Sequence, residues 1–129
     1  MTQRAGEADG FGAQIGLEER SVAGGRAEVA MTADGRHLNP AGFVHGGAVA
    51  TLVDVVMGKA VGSLIDDAEL PVTIEMKVNF LEPGRPGLLL ASAEVRRRGR
   101  LFTVVQAEVT QAEDGETLAE AMGTFTSTG

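Results

Sequence analysis

The sequence predicts an α+β fold in which one curved antiparallel sheet wraps around a single long helix. Residues 46–64 have apolar side chains on nearly every side, a pattern typical of a helix that is buried all round. The segments on either side of it have the alternation or the short apolar runs of strands. Because a helix that is apolar on all faces needs a sheet curved around it, these observations together indicate the fold class.

The part of the chain before the helix predicts a hairpin and a loop. We expect one domain over residues 13–129, preceded by a polar and flexible N-terminal arm. The pair Gly24-Gly25 separates two strand-like runs and is a typical hairpin signal. The predicted arm, two strands and loop occupy residues 1–12, 14–22, 26–32 and 34–44.

Four predicted strands follow the helix, over residues 72–80, 88–97, 101–111 and 118–126. The first has the clearest pattern, because Val72, Ile74, Met76, Val78 and Phe80 alternate with polar residues and so predict one buried face. From their order we expect the four strands to form a meander. The exposed edge of such a sheet invites pairing with a second copy of the chain, so we expect a homodimer or a homotetramer.

The composition excludes several classes of function. A net charge of −7 argues against general nucleic-acid binding, which depends on neutralising phosphates. The absence of cysteine excludes disulfides and a thiol nucleophile, and two histidines offer little from which to build a metal site. The polar start lacks the apolar core of a signal peptide, and no apolar run approaches the roughly 20 residues that span a bilayer. We therefore expect a cytoplasmic protein.

Asp54 is the most informative residue, because it lies within the apolar helix. A carboxylate in such surroundings needs a partner or a task. At 100° per residue it shares one narrow arc with small or hydroxylated residues, namely Gly47, Thr51, Gly58 and Gly62. Each helical glycine costs up to about 1 kcal/mol relative to alanine. The glycines make the helix less stable but leave space beside this arc. We therefore expect another molecule to approach the arc closely.

A set of residues around the helix start resembles a known family. Asn39, Gly42, His45-Gly46-Gly47 and Asp54, followed by strands in this order, resemble hotdog-fold acyl-CoA thioesterases of the phenylacetate-pathway (PaaI-like) group. The resemblance extends over roughly residues 14–127. It implies a hotdog fold, hydrolysis of acyl-CoA to free acid and CoA without a metal or other cofactor, and active sites at a dimer interface.

The resemblance also implies roles for five residues. Asp54 would be the catalytic carboxylate, and the Gly46 backbone would donate to the thioester oxygen. Asn39 and His45 would be positioning residues. Thr73 falls where relatives often have a Ser or Thr that helps hold the attacking water. Strict alternation, however, predicts that Thr73 faces away from the helix with Glu75 and Lys77.

Elementary chemistry agrees with thioester hydrolysis and leaves its route open. The first turn of a helix offers free N–H groups and the positive end of the dipole, and glycine lets a carbonyl approach closely. Asp54 could activate water as a general base or attack the carbonyl itself. Gly46 and Asp54 are eight residues apart, or about 12 Å along one helix. If both act on one thioester, they must come from different subunits.

A second signal is the run of arginines at the fourth and fifth predicted strands: Arg96, Arg97, Arg98 and Arg100. Guanidinium groups suit the phosphates of coenzyme A, although the run could equally be a charged edge that blocks aggregation. Alternation predicts Arg96 and Arg98 on one face of the strand and Arg97 on the other. Lys59 and Lys77 are weaker candidates for the same contact.

Several alternatives remain open at this stage. Asp54 could be a structural acid, His45 a simple helix cap and Asn39 a turn residue before Pro40. We expect His37 to be a solvated loop residue. The chain could also be a non-catalytic acyl-CoA-binding module or a hydratase of the same fold, although a pure binder has no need of Asp54. The acyl group is unspecified, and the residues whose size would set the pocket width include Val56, Met57, Val61 and Phe80.

Overall fold

The computed structural model describes residues 10–128 and confirms the predicted α+β class. Its helices are α1 (Phe11–Gln14) and α2 (Gly46–Gly62), with a short 3-10 helix at Gly35–His37. Its strands are β1 (Leu17–Ala23), β2 (Arg26–Ala33), β3 (Leu70–Phe80), β4 (Gly87–Arg98), β5 (Thr103–Gln111) and β6 (Thr117–Thr128). Most of the predicted N-terminal arm lies outside the described residues, and its last residues begin α1. Within residues 10–128, no helix is long and apolar enough to cross a membrane.

The predicted hairpin at Gly24-Gly25 is confirmed. These two residues form the whole connection between β1 and β2, and both have positive φ angles, 60° and 81°. Such angles at both central residues are typical of the tight turn whose twist matches paired strands, and glycine adopts them without steric cost.

The predicted meander is confirmed for β4, β5 and β6 but is wrong for β3, which does not pair with β4. The strand order across the antiparallel sheet is β1-β2-β4-β5-β6-β3, so β3 forms the edge opposite β1. The sequences of the two strands explain why β4 lies inside the sheet and β3 at its edge. β4 begins with the apolar run Leu88-Leu89-Leu90-Ala91, which suits the covered centre of a sheet. β3 alternates with Glu75, Lys77 and Asn79, and charged side chains are tolerated at an edge.

Helix α2 packs across the concave face of the sheet and forms the core with it. The buried residues of this core include Leu52, Val53, Val56 and Met57 of α2 and Val29, Met31, Leu89, Val105, Val109 and Phe125 of the sheet. Burial on all sides, as predicted from the sequence, is not found in the single chain. The glycine-rich arc of α2, with Asp54 at its centre, lies towards the β3 edge and is only half-buried, because the sheet covers the helix from one side.

The connection between β3 and β4 is held in place at several points. The backbone N–H groups of Leu81 and Glu82 both donate to the Leu118 carbonyl, at 2.8 and 3.3 Å. The Val44 N–H donates to the Gly84 carbonyl at 2.8 Å, which ties this connection to the loop before α2. These bonds fix one wall of a surface depression beside the start of α2.

The end of the same connection is anchored by a buried glutamine. The side chain of Gln111 accepts from the Arg85 N–H at 3.0 Å and donates to the Arg85 carbonyl at 3.1 Å. The Arg85 guanidinium donates to Asp114 at 2.8 Å. A hydrogen bond from the Glu116 N–H, together with this guanidinium, lowers the pKa of Asp114. The connection is thus fixed at both ends.

Candidate active site

Asp54 and Thr73 contact each other directly. The Thr73 hydroxyl donates a hydrogen bond to Asp54 Oδ1 at 2.6 Å. Within residues 10–128, Asp54 Oδ2 has no hydrogen-bond partner, so one oxygen is held and the other remains available. The Thr51 hydroxyl, one turn earlier on the same arc, donates a hydrogen bond to the Gly47 carbonyl at 2.7 Å and not to Asp54.

The expectation that Thr73 faces away from the helix is wrong because β3 contains a bulge. Thr73 pairs with Phe125 and Glu75 pairs with Thr124, so Ile74 is an extra residue between them. An extra residue reverses the alternation on one side of it. Thr73 therefore lies on the concave face with buried Phe125. Val72 and Ile74, predicted to be buried, are 38% and 53% exposed.

His45 caps the N-terminus of α2 and leaves one backbone donor unused. Its Nδ1 accepts from the Gly47 N–H at 2.8 Å, and its carbonyl accepts from the N–H groups of Ala48 and Val49. The neutral ring therefore carries its proton on Nε2. In the described part of the chain, the first-turn N–H without an acceptor is that of Gly46. A helix start with a free N–H is a ready site for a partially negative oxygen.

Asn39 organises the loop that leads into α2. Its Oδ1 accepts from the N–H groups of Ala41 and Phe43, at 2.9 and 3.1 Å, which is the turn role left open by the sequence. Asn39 and Gly46 line one surface depression of about 310 Å³. Its wall also includes Phe43, Phe80, Leu81 and Glu82, of which the sequence indicated only Phe80.

The predicted site residues thus fall into two groups in one chain, which we call half-sites. Asp54 and Thr73 make up one half, and Asn39, His45 and Gly46 make up the other. The eight-residue separation of Gly46 and Asp54 keeps the two halves about 12 Å apart along α2. Strand β3 adjoins both, because Thr73 is bonded to Asp54 and the Phe80 ring lies beside Gly46, 3.6 Å from where a side chain would begin.

Arg96 and Arg98 lie on opposite sides of the sheet, so the predicted grouping of the two is wrong. Val95 pairs with Val105 and Arg97 pairs with Val104, so Arg96 is the extra residue of a second bulge. Arg96 donates to Glu94 at 3.3 Å on the outer face. Arg98 and Arg100 instead line a depression of about 270 Å³ at the C-terminal end of α2. The bulge follows from long-range pairing, which alternation alone does not reveal.

Other predicted residues have structural roles. Val56 and Met57 are fully buried in the core and do not line a surface depression. Lys59 is paired with Glu19 at 2.8 Å. Among residues 10–128, no group of three potential metal-ligating side chains is found.

His37 is buried and not solvated as expected. Its Nδ1 accepts from the Asp34 N–H at 2.9 Å, while its Nε2 lies 2.7 Å from the Ile15 carbonyl oxygen. Together these bonds tie the N-terminal segment to the loop before α2. The signal that the sequence offered was the Asp34-to-His37 spacing of a capping box.

Comparison with known proteins identifies the family. Residues 41–118, more than half of the chain, match the family model of the thioesterase superfamily. Human acyl-coenzyme A thioesterase 13 is 27% identical over 106 residues, which are 81% of this chain and 74% of that protein. The Caenorhabditis elegans protein F42H10.6 is 34% identical over 96 residues, which are 74% of this chain and 56% of that protein.

Solved structures agree with this match. The conserved protein PA5202 of Pseudomonas aeruginosa has a TM-score of 0.87 and 34% identity, with 92% of this chain and 93% of that one covered. The PaaI protein from the phenylacetic acid degradation operon of Escherichia coli has a TM-score of 0.84 and 28% identity, with 92% and 83% covered. From its curved six-stranded sheet around one long helix and from these matches, the chain belongs to the thioesterase superfamily and has the hotdog fold.

Proposed function

We propose that this protein hydrolyses acyl-CoA thioesters to a free acid and CoA. The observation that carries the proposal is the pairing of a free Gly46 N–H at a helix start with a carboxylate, Asp54, that has one oxygen held and one available. The Gly46 N–H can donate a hydrogen bond to the oxygen of a thioester carbonyl. The available Asp54 oxygen can take a proton from a water molecule or attack the carbonyl carbon itself. The name of human acyl-coenzyme A thioesterase 13 supports the same substrate class.

In the proposed reaction the Gly46 N–H donates to the thioester oxygen as negative charge develops on it. One such donor is worth about 3–4 kcal/mol in transition-state stabilisation. Asp54 Oδ2 takes a proton from water as the water oxygen bonds to the carbonyl carbon, and the C–S bond then breaks to release the CoA thiolate. Alternatively, Oδ2 attacks the carbonyl carbon, the C–S bond breaks to release the CoA thiolate, and water hydrolyses the resulting anhydride to the free acid and the regenerated Asp54 carboxylate. In both routes Thr73 holds Oδ1, and His45 and Asn39 position the donor.

The two half-sites support an active site shared between two copies of the chain. Both sheet edges expose charged side chains, Glu18, Glu19 and Arg20 on β1 and Glu75 and Lys77 on β3, but β3 also exposes large apolar residues. The exposed apolar set on and beside β3 is Leu70, Val72, Ile74, Phe80 and Leu81. Because exposed large apolar side chains favour association, we infer that β3 is the edge that meets a second copy, in a dimer or a pair of dimers.

The positions along β3 fit such a shared site. Antiparallel pairing of β3 with its copy, centred between Met76 and Lys77, would bring Phe80 opposite Thr73 of the second copy, since the two positions are equally distant from that centre. Phe80 lies beside Gly46, and Thr73 is bonded to Asp54. The donor of one chain would then face the carboxylate of the other, twice per dimer.

The proposed function is tested by measuring initial rates of thiol release over a set of about a dozen acyl-CoAs, both aromatic and aliphatic. We expect saturable release of CoA that needs no added metal. Tight binding of every acyl-CoA without thiol release would instead identify a non-catalytic acyl-CoA-binding module. The same rates, measured in cell fractions, would test the cytoplasmic location that the sequence predicts.

The arginines provide a separate prediction about the nucleotide half of the substrate. Arg98 and Arg100 line a depression, whereas Arg96 is paired with Glu94, so we expect Arg98→Ala and Arg100→Ala to raise KM several-fold with kcat nearly unchanged. Arg96→Ala and Arg97→Ala are matched controls with little effect. The difference should shrink at high salt, because salt screens exposed charges.

A thioester that lacks the nucleotide separates phosphate contact from a general effect of the substitutions. Wild type and all four variants should hydrolyse it equally. If Arg98→Ala and Arg100→Ala keep the wild-type KM for acyl-CoA at low salt, these arginines form only a charged edge. The phosphates would then be held elsewhere.

A further inference from the structure

We propose that His37 positions the backbone donor of the candidate active site, the Gly46 N–H. This inference rests on the proposed thioester hydrolysis and adds a positioning residue to it, although His37 belongs to neither half-site. Three features of the molecule support it: the hydrogen bonds made by His37, its pairing with His45, and the rigid peptide that joins His45 to Gly46.

Every hydrogen-bonding group of His37 has a partner. In its fully buried ring, Nδ1 accepts from the Asp34 N–H at 2.9 Å, so the proton of the neutral ring lies on Nε2 and is donated to the Ile15 carbonyl at 2.7 Å. Its backbone N–H donates to the Asp34 carbonyl at 3.0 Å, and its backbone carbonyl accepts from the His45 N–H at 2.7 Å. His37 therefore cannot move without breaking at least one of these bonds.

The ring of His37 is bonded on both sides to fixed parts of the fold. Ile15 packs against the core, and its segment continues into β1 at Leu17. Asp34 directly follows β2, and its carboxylate accepts from the Arg36 N–H at 3.1 Å, which caps the 3-10 helix. The ring thus joins the start of β1 to the end of β2, and it holds the beginning of the loop before α2 against both strands.

The loop between His37 and α2 folds back on itself as a short hairpin. Leu38 pairs with Val44 in an antiparallel bridge, and the bond from the His45 N–H to the His37 carbonyl closes the open end. The Asn39 side chain holds the turn at the other end. The two ends of the hairpin therefore have different anchors, and His37 is the anchor of the end that enters α2.

The peptide between His45 and Gly46 transmits this anchoring to the donor. The His45 N–H is held by the His37 carbonyl, and the His45 carbonyl accepts from the N–H groups of Ala48 and Val49 in the first turn of α2. A trans peptide is planar, so the Gly46 N–H points opposite to the His45 carbonyl. With both ends of His45 held, the direction of the donor is fixed. A displacement of about 1 Å in a catalytic arrangement can cost about 100-fold in rate.

His37→Leu tests the proposal by removing both ring bonds. We expect kcat for acyl-CoA to fall by about tenfold with KM nearly unchanged, because a misaligned donor stabilises the transition state less well. His37→Gln should restore most of kcat, since its amide, like the imidazole, has an acceptor and a donor on one carbon and can reach the Asp34 N–H. His37→Asn is one methylene shorter and keeps the bond to Asp34 but not the bond to Ile15, so its kcat should lie between the two. If His37→Leu does not fold, the Asn and Gln variants make the same comparison.

Two control variants separate positioning from general support of the fold. Arg36→Ala removes a neighbouring bond between the same two segments, from the Arg36 guanidinium to the Gln14 carbonyl at 2.8 Å, and leaves the His37 ring bonds in place. Val105→Ala opens a cavity in the core and lowers the melting temperature without a change in the hairpin. Both should keep near-wild-type kcat well below their melting temperatures. A loss of kcat in either control equal to that of His37→Leu overturns the proposal.

Amide hydrogen exchange measured by NMR follows the same positioning without turnover. The His45 N–H should exchange several-fold faster in His37→Leu than in wild type or Arg36→Ala, and the Gly46 amide signal should shift. His37→Gln should reverse both changes. A folded His37→Leu protein with wild-type kcat, or with wild-type exchange at His45, overturns the proposal. If wild type hydrolyses no acyl-CoA but the exchange rates and the Gly46 signal follow this order, the proposed hydrolysis fails and the positioning of Gly46 by His37 stands.

Discussion

Asp54→Asn is expected to lower kcat by at least about 100-fold while the protein still folds and dimerises, because it removes the basicity and charge of the carboxylate and keeps its shape. The Thr73 hydroxyl can still donate to the remaining carbonyl oxygen of the amide, so the contact between α2 and β3 survives. Initial rates of thiol release, with circular dichroism and sedimentation of the same sample, measure both parts of the prediction.

Thr51→Val is the matched control for this variant. Thr51 lies on the same half-buried arc of α2, but its hydroxyl donates to the helix backbone and not to Asp54. We expect near-wild-type turnover for it. A well-folded Asp54→Asn protein with near-wild-type kcat would refute a catalytic role for Asp54 and favour a structural or purely binding one.

Gly46→Pro is expected to abolish most activity as well, because it removes the free N–H at the helix start. The substitution suits the backbone: Gly46 is the first residue of α2, where proline is well tolerated, and His45 already has the extended conformation that proline requires of its predecessor. A side chain at position 46 would meet the Phe80 ring at an ordinary contact distance of 3.6 Å. Gly46→Ala adds the same Cβ but keeps the N–H, so it separates the two effects and should retain more activity than Gly46→Pro.

Mixing the Asp54→Asn and Gly46→Pro variants tests whether each site draws on both chains. In a mixed dimer, one site receives both substitutions and is inactive, while the other has an intact Asp54 and an intact Gly46. Random subunit exchange makes about half of the dimers mixed, so roughly one quarter of wild-type activity should return. Mass spectrometry or a size-tagged chain verifies that mixed dimers have formed. Absence of recovery despite proven exchange would mean that each site lies within a single chain.

Much of the fold was predictable because the relevant signals are local. Gly24-Gly25 predicts its turn through the angles that two adjacent glycines adopt. Helix α2 ends within two residues of its predicted position, since apolar periodicity is a property of consecutive residues. The spacing of Asn39, His45-Gly46-Gly47 and Asp54 likewise indicated the superfamily before any contact was known.

The placement of strands was not predictable in the same way. Strand β3 pairs with β6 and not with β4, the next strand along the chain. This pairing depends on how all the strands together cover α2. The burial of His37 also depends on a distant group, the Ile15 carbonyl, to which its ring is bonded. A sequence alone suggests that such a polar loop residue is exposed to solvent, because its hydrogen-bond partner is far away along the chain.

Consecutive residues alone place Asp54 and Gly46 on one helix, about 12 Å apart along its axis, so the two cannot act on the same thioester bond within one chain. Contacts across the sheet bring Thr73 to Asp54, separate Arg98 from Arg96, and place Glu82 and Gly46 in the wall of one depression. The first two depend on bulges, which arise where paired strands differ by one residue in length between matching contacts. The position of Glu82 depends on the connection between β3 and β4, which is hydrogen-bonded to Leu118 of β6. Helix geometry is fixed by neighbours along the chain, whereas register and loop position are fixed by partners across the sheet.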